Sequence, residues 1–529
     1  MRSVLLGLAV LLLVLACGGS PEKPAPVVDG GVDAGTDAGT DAGTPERDFS
    51  LTVAPASVAA PLGGSITATV TLARVGDVGE LSLSARDLPT GVTALFSPTP
   101  VPAGATESQV TLQVATDAEL GISTLTLVAV WEGQERTTTL DLTVQTLTVT
   151  GTVQGGSSGV TVGLVASGSS TPLTTTSGSG GTFTFSDVRP PYDLYTLGSF
   201  GHVGNANYRD IVTYYQGLTR ADPTVVAPKD VVVSVNSKTA TVSGTLSGTA
   251  LPVSGSAPIY QVWSRSTSPS VSGTGGLSYS FQPSWNGLVG KDSGSIYVLQ
   301  ADNASGTYSG YAEAALALDD GDTQTVDLVL TKPGTMRAAG TLSVPVGFST
   351  PAIHLYQYFG RTRFELGSLT SASPDLPLAV LPAGTATLYA STRLGSATSE
   401  LSFSGLKADT DLTKTFPSPP KLTTPADGAG SINRSTPFSW TAPPNSVSRL
   451  TAQVGTVIYR VFTAGTSITL PSAPEKPFPL VDNGTWSVDS YGPFHQVDRI
   501  AGPKGVDLES DAYRFHVNSD GTRAFVWSN

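Results

Sequence analysis

The chain has 529 residues, a net charge of −13, only 13% charged residues, 58 glycines, 38 prolines and a single cysteine. That balance excludes a nucleic-acid binder, which needs Lys and Arg to replace the counterions of a phosphate backbone, and it disfavours docking onto anionic lipid through the protein surface. One cysteine excludes an internal disulfide, so exported domains must rest on their cores alone. The length sets a soft prior of three to five domains. Abundant Thr and Ser with Gly and Pro punctuation, and no long helix-forming segment, predict short strands and turns.

The chain opens on Met1, Arg2 and Ser3, followed by an apolar run over residues 4–15. A membrane-spanning helix needs roughly 20 apolar residues; this run is shorter and its flanks are those of a signal peptide. It ends in Val14, Leu15, Ala16, Cys17 and Gly18, which resembles the bacterial lipobox. Val14 stands where leucine is commoner. The resemblance implies cleavage after Ala16 and a thioether-linked diacylglycerol on Cys17, a covalent lipid. Each buried methylene contributes about 0.8 kcal/mol, and more than one acyl chain makes attachment stable. Gly18, in place of an aspartate that retains some lipoproteins at the inner membrane, implies an outer-membrane address. No later apolar stretch is long enough to cross a bilayer.

Residues 17–48 read as a lipidated cysteine and a disordered tether. Three copies of Asp-Ala-Gly-Thr occupy 33–44 after a Pro-rich piece, and low hydrophobicity with one-sided charge cannot support a core. Calcium held by Asp33, Asp37 and Asp41 is the alternative. It is disfavoured because calcium needs six or more oxygens at fixed positions.

Residues 49–146 form the first predicted sandwich. Alternation is strict in 65–72, 81–84, 110–114 and 140–144, the pattern of half-buried strands. The segment LPTGVTALFSPTPVPAGATESQVTLQV (88–114) resembles Ig-like modules of bacterial surface proteins. An internal repeat follows: TVTGTV (148–153), TVSGTL (241–246) and RAAGTL (337–342), with Gly151, Gly244 and Gly340 at intervals of 93 and 96 residues. A glycine fixed in an opening strand predicts a bulge or a close backbone contact. Residues 147–236 also carry GTFTF and YDL (Gly181 to Phe185, Tyr192 to Leu194), and resemble a carboxypeptidase regulatory-like, transthyretin-like sandwich. Residues 237–332 and 333–418 keep the opening strand and are predicted as two further sandwiches. Residues 419–529, with FSW at 438–440 and GTWSVDSYGP at 484–493, resemble a fibronectin type III-like domain. Its expected last strand is in DAYRFHVNSDG (511–521), and its Pro-rich loop 471–479 is expected to be mobile. The fold class is therefore all-β: tandem sandwiches after a signal peptide and tether.

Chemistry is sparse. His202, His354, His495 and His516 have no metal-ligand spacing. Residues 155–159 match G-x-S-x-G, but the nucleophile elbow needs a strand-to-helix turn and a strand-like run follows Gly159. Asp319, Asp320 and Asp322 around Gly321 form the one local acidic cluster. It reads as an exposed turn, with calcium at a domain junction as the alternative, and Asp409 and Asp411 occupy a similar place. Trp440, Trp486 and Trp263 read as core. Trp285, in the loop-like QPSWNGL, is the candidate for stacking on a sugar.

The sequence thus predicts a non-enzymatic surface lipoprotein making structural or adhesive contact, without a cofactor beyond its lipid. The alternative is a glycan- or envelope-protein-binding module with specificity in loops of the third to fifth domains. A hydrolase accessory protein is more remote. Replacing the thiol by a hydroxyl (Cys17→Ser) is expected to leave an uncleaved precursor that takes up no fatty-acid probe. Normal labelling of that variant contradicts the lipobox reading.

Overall fold

The computed structural model describes residues 47–528, apart from 157, 202–206, 229–235, 249–255, 263–269, 273–277, 288–291, 303–306, 360–361, 383, 504 and 506–512. The signal peptide, Val14, Leu15, Ala16, Cys17, nearly all of the tether, Ser157, Trp263 and His202 therefore lie outside the described residues. The structure is all-β, with separate sheets packed as sandwiches. Among the described residues there is no α-helix, only three single-turn 3-10 segments.

The first unit follows its sequence pattern closely. One sheet orders Asp48–Ala54, Ser65–Val75, Glu107–Val114 and Val92–Ser97; the other orders Ser57–Pro61, Gln134–Gln145, Gly121–Trp131 and Ser82–Arg86. Val70, Leu72, Val110 and Leu112 of the first sheet meet Leu125, Leu127, Leu140 and Leu142 of the second in one core. Their polar neighbours face outward, as expected where one face of each strand is buried.

The repeated glycines do what their position predicts. Each lies where the closing strand of its own unit crosses the opening strand in parallel. A Cβ at Gly151 would sit 2.7 Å from the Pro223 carbonyl oxygen, at Gly244 1.8 Å from that of Val326, and at Gly340 2.5 Å from the Thr413 nitrogen. The pairings are Leu147–Val153 with Thr224–Val225, Thr241–Ser247 with Thr323–Thr325 and Leu328–Val329, and Gly334–Ala339 with Thr410–Asp411. Only a residue without Cβ admits that approach.

The units are consecutive in sequence but not linear in space. A 14-stranded sheet has as its main path, in order, Leu173–Thr176, Thr161–Ala166, Tyr192–Phe200, Arg209–Leu218, Val457–Thr463, Val447–Val454, Val481–Gly492, Tyr513–Asn518, Ala397–Leu406, Thr385–Leu394, Ala352–Phe359 and Thr362–Thr370. The C-terminal unit sits in the middle. Its Val457–Thr463 pairs in parallel with Arg209–Leu218, from Asp210 and Val457 to Tyr215 and Phe462. Its Tyr513–Asn518 pairs antiparallel with Ala397–Leu406, from Ser399 and Val517 to Phe403 and Tyr513. Side chains reinforce the first joint. Asp498 accepts from the Thr219 amide (2.9 Å) and hydroxyl (2.5 Å), Lys476 pairs with Asp210 at 2.8 Å, and Tyr195 donates to Glu475 at 3.1 Å.

Two C-terminal expectations are corrected. The loop 471–479 is packed, with Ala473 and Phe478 buried in the core beside Tyr459, whose hydroxyl donates to the Lys476 carbonyl and accepts from the Ala473 amide. Tyr513–Asn518 is not the last strand: Arg523–Ser528 follows the turn, pairs with Val481–Gly492 and buries Phe525 and Trp527. Trp440 and Trp486 fill the same core, as the sequence implied.

The glycine crossings give a direct stability test. Gly244→Ala is expected to cost about 1–3 kcal/mol or more through forced separation of two backbones. Gly430→Ala, with no atom within 4 Å of its Cβ position, is expected to be near neutral. Denaturant unfolding of both variants checks this, and equal stabilities would refute the close-contact account.

Candidate functional site

The joint between the C-terminal and fourth units carries a connected group of charges. Alternation sets which side chains share a face. Leu450, Val488 and Val517 turn into the C-terminal core; their neighbours Arg449, Asp489 and His516 turn to the opposite face of the same sheet. Register then lines these up across strands: Arg449 opposite Asp489, Tyr491 opposite His516, His516 opposite Glu400.

The result is a row of alternating charge. Arg449 donates through Nε and Nη2 to Asp489 Oδ2 at 3.1 and 2.6 Å. The His516 ring bridges the two units, with Nε2 3.4 Å from Asp489 Oδ1 and Nδ1 3.2 Å from Glu400 Oε2. Tyr491 stacks on His516 with centroids 4.8 Å apart, and the Arg449 guanidinium lies over the Tyr491 ring at 5.5 Å. The His516 side chain is 22% exposed. Burial alone would push its pKa down, but the hydrogen bonds to Asp489 and Glu400, with their charges, outweigh it and raise the pKa to about 9. Burial would likewise raise Asp489, yet its bonds to His516 and Arg449 hold it below the usual carboxylate range.

This arrangement binds two units rather than moving a proton. Both ring nitrogens are engaged by carboxylates, and the imidazole is protonated near neutrality. A general base needs a free nitrogen and a pKa near the working pH. Sequence reasoning missed the site because Glu400 and His516 are 116 residues apart and no spacing rule connects them.

The residues singled out from sequence fall elsewhere. Trp285 is corrected: it lies on the strand Ser284–Gly287 opposite Lys238, is 3% exposed and belongs to the core of the third unit. It is not an exposed loop aromatic. The carboxylates of Asp319, Asp320 and Asp322 secure their own turn. Asp319 pairs with the buried Lys238 at 3.0 Å, Asp320 accepts from the Thr239 amide and Asp322 from the Asp319 amide, at 2.8 and 2.9 Å. They do not converge as calcium ligands, and no group of three or more His, Cys, Asp or Glu placed to hold a metal occurs among the described residues. Asp409 and Asp411 accept from the amides of Arg337 and Thr413. Gly155 and Gly156, at positive φ, end a 3-10 turn that leads to the strand Thr161–Ala166, not to a helix. His495 is exposed, and His354 is half-buried beside Tyr356.

No family model matches the chain, and no curated protein matches it. Among solved structures it is similar to the Bacillus anthracis TIE protein (8% identity, 70% of this chain and 75% of that one, TM-score 0.20). It is also similar to domains 4–9 of the surface layer protein SbsC (9% identity, 85% and 81%, TM-score 0.16). A third likeness is to the pilus adhesin SpaC from Lactobacillus rhamnosus GG (9% identity, 75% and 57%, TM-score 0.13). The chain spans little more than half the length of that adhesin. At such TM-scores the likenesses carry no argument, and the reading of the chain rests on its own residues.

The bridging imidazole predicts a pH-dependent joint. Its folded pKa lies above the unfolded value of 6.5, so its stabilisation is complete below about pH 6 and lost as the pH rises through 9. The full contribution is on the order of 3 kcal/mol. The melting temperature is expected to fall between pH 7 and 10, and His516→Gln is expected to flatten that slope. An unchanged slope in the variant contradicts the assignment.

Proposed function

We propose that this chain is a non-enzymatic lipoprotein of the cell surface. In this reading lipid on Cys17 holds it to the outer membrane, residues 18–48 give it reach, and the β-sandwich assembly makes structural or adhesive contact. The observation that carries the reading is the continuous sheet joining three units through the C-terminal one. Within the second, C-terminal and fourth units, load passes through laddered backbone hydrogen bonds. Variable loops on such a rigid scaffold are the usual place for binding.

A second reading, a glycan-binding module, is favoured by one feature. His354, Tyr356 and Tyr389 sit half-buried together on one face of the fourth unit. Tyr356 and Tyr389 meet edge to face at 5.6 Å, and His354 lies 6.3 Å from Tyr356. A cluster of half-buried rings of this kind suits stacking on a sugar. It takes the place that Trp285 held in the sequence reading.

Intact cells displaying the chain are to be compared with a deletion strain and with Cys17→Ser for attachment to other cells and to a glycan array. The adhesive reading expects attachment to fall in both. Loss of glycan retention alone on Tyr356→Ala and Tyr389→Ala identifies the second reading. Turnover of a peptide or glycoside by the purified protein, abolished by His516→Gln, would overturn both.

A further inference from the structure

Beside the charged row, between the second unit and the C-terminal unit, lies a cavity of about 220 Å³. Its wall is built by the parallel pairing of Arg209–Leu218 with Val457–Thr463, which sets Thr213 opposite Arg460 and Tyr215 opposite Phe462. Arg449, from the next strand, completes that wall, and Ile500 and Gly502 close the cavity from the segment that follows the 3-10 turn Val497–Arg499.

Three side chains of this cavity carry donors that meet no acceptor among the described residues, although Arg449, Gln154 and Thr224 also line it. Arg460 is half-buried and makes no hydrogen bond or ion pair among the described residues. Burial, and then the charge of Arg449, push its pKa down. The Thr213 hydroxyl is buried and has no hydrogen-bond partner among the described residues. The Tyr215 hydroxyl accepts from the Val226 amide at 2.9 Å and donates to no acceptor among the described residues. A buried donor left unsatisfied costs free energy, and the Thr213 and Tyr215 hydroxyls line this cavity together with the half-buried Arg460. The protein has a net charge of −13, yet none of the described residues that line this space is a carboxylate.

We propose that this cavity is a binding site for a small organic monocarboxylate, its carboxylate held by Arg460 with the hydroxyls of Thr213 and Tyr215. A guanidinium presents paired donors that match a carboxylate in two-point geometry. Charge count sets the valence: Asp489 neutralises Arg449, which leaves one positive charge, that of Arg460, facing the space. Phe462, stacked on Tyr215 at 5.2 Å, together with Ile500 gives apolar walls for the body of the ligand. A phosphate dianion offers neither the matching charge nor an apolar body. Because the site spans two units, its ligand also tightens the joint between them. The inference does not depend on the adhesive reading.

The test is thermal unfolding of the full-length protein in detergent, with sodium benzoate, sodium acetate or sodium phosphate at ionic strength matched by sodium chloride. A ligand that binds only the folded state raises the melting temperature with its concentration. Benzoate is expected to give a saturable rise that chloride and phosphate do not. Arg460→Gln is expected to raise the half-saturating benzoate concentration at least tenfold. Its unliganded melting temperature is expected to equal or exceed that of the natural protein, since an unpaired cation beside Arg449 has been removed. Thr213→Val, nearly the same shape without the orphaned hydroxyl, is expected to weaken benzoate severalfold, and it decides the matter if Arg460→Gln does not fold. The proposal is overturned by the absence of a saturable benzoate shift, by a shift unchanged in Thr213→Val and in any folded Arg460→Gln, by a larger shift with phosphate, or by an unliganded Arg460→Gln melting well below the natural protein.

Discussion

Every strand at the edge of a sheet has a row of backbone N–H and C=O groups that must find partners. An uncovered edge invites pairing with another chain. In this molecule three sandwiches resolve the constraint on one another. The C-terminal unit offers two edges, Val457–Thr463 and Tyr513–Asn518, and each takes up an edge of a different unit, Arg209–Leu218 and Ala397–Leu406. Everything distinctive about the structure depends on these two seams. They turn a chain of separate modules into one sheet, share hydrophobic cores between units, and bring together side chains hundreds of residues apart. The third unit stays off this sheet and meets the fourth through rings, with Tyr297 stacked on Phe359 at 3.9 Å and Tyr311 nearby.

Much of the fold was legible because alternation and glycine have local physical causes. The period-2 pattern of 65–72 and 110–114 recorded which face is buried, and the repeated glycine recorded a backbone crossing about 70 to 80 residues further along the chain. The seams were not legible. A backbone ladder needs no particular side chains, so two edges that pair leave little mark on sequence. The hints are runs buried on both faces, Ile211–Tyr215 in Arg209–Leu218 and Val461, Phe462 and Thr463 in Val457–Thr463, as in an interior strand. Trp285 was misread because Pro283, Asn286 and Gly287 around it are turn residues, yet they bracket a short strand paired on Asn236–Thr239. His516 was dismissed because it stands alone in sequence; its partners Glu400 and Asp489 arrive only through strand register.

The seams also organise the chemistry. Arg449 stands between two settings on one sheet face. On one side it pairs with Asp489 and, through it, joins the row that includes His516 and Glu400; on the other it borders the cavity where Arg460 makes no ion pair among the described residues. The first setting is internally neutralised and structural. The second is left with uncompensated positive charge in a strongly acidic protein, and that asymmetry makes it a site for an external anion.

The two seams hold the three units in one sheet, and hydrogen exchange of the full-length protein reads them directly. Backbone amides in a sheet interior open only with their cooperative unit, whereas edge amides exchange early. Amides of Arg209–Leu218, Val457–Thr463, Tyr513–Asn518 and Ala397–Leu406 are predicted to be protected as well as those of the interior strand Val447–Val454. Exchange at Val457–Thr463 and Tyr513–Asn518 as fast as at the true edges, Leu173–Thr176 and Thr362–Thr370, would mean that the units are separate sandwiches and would contradict the continuous sheet.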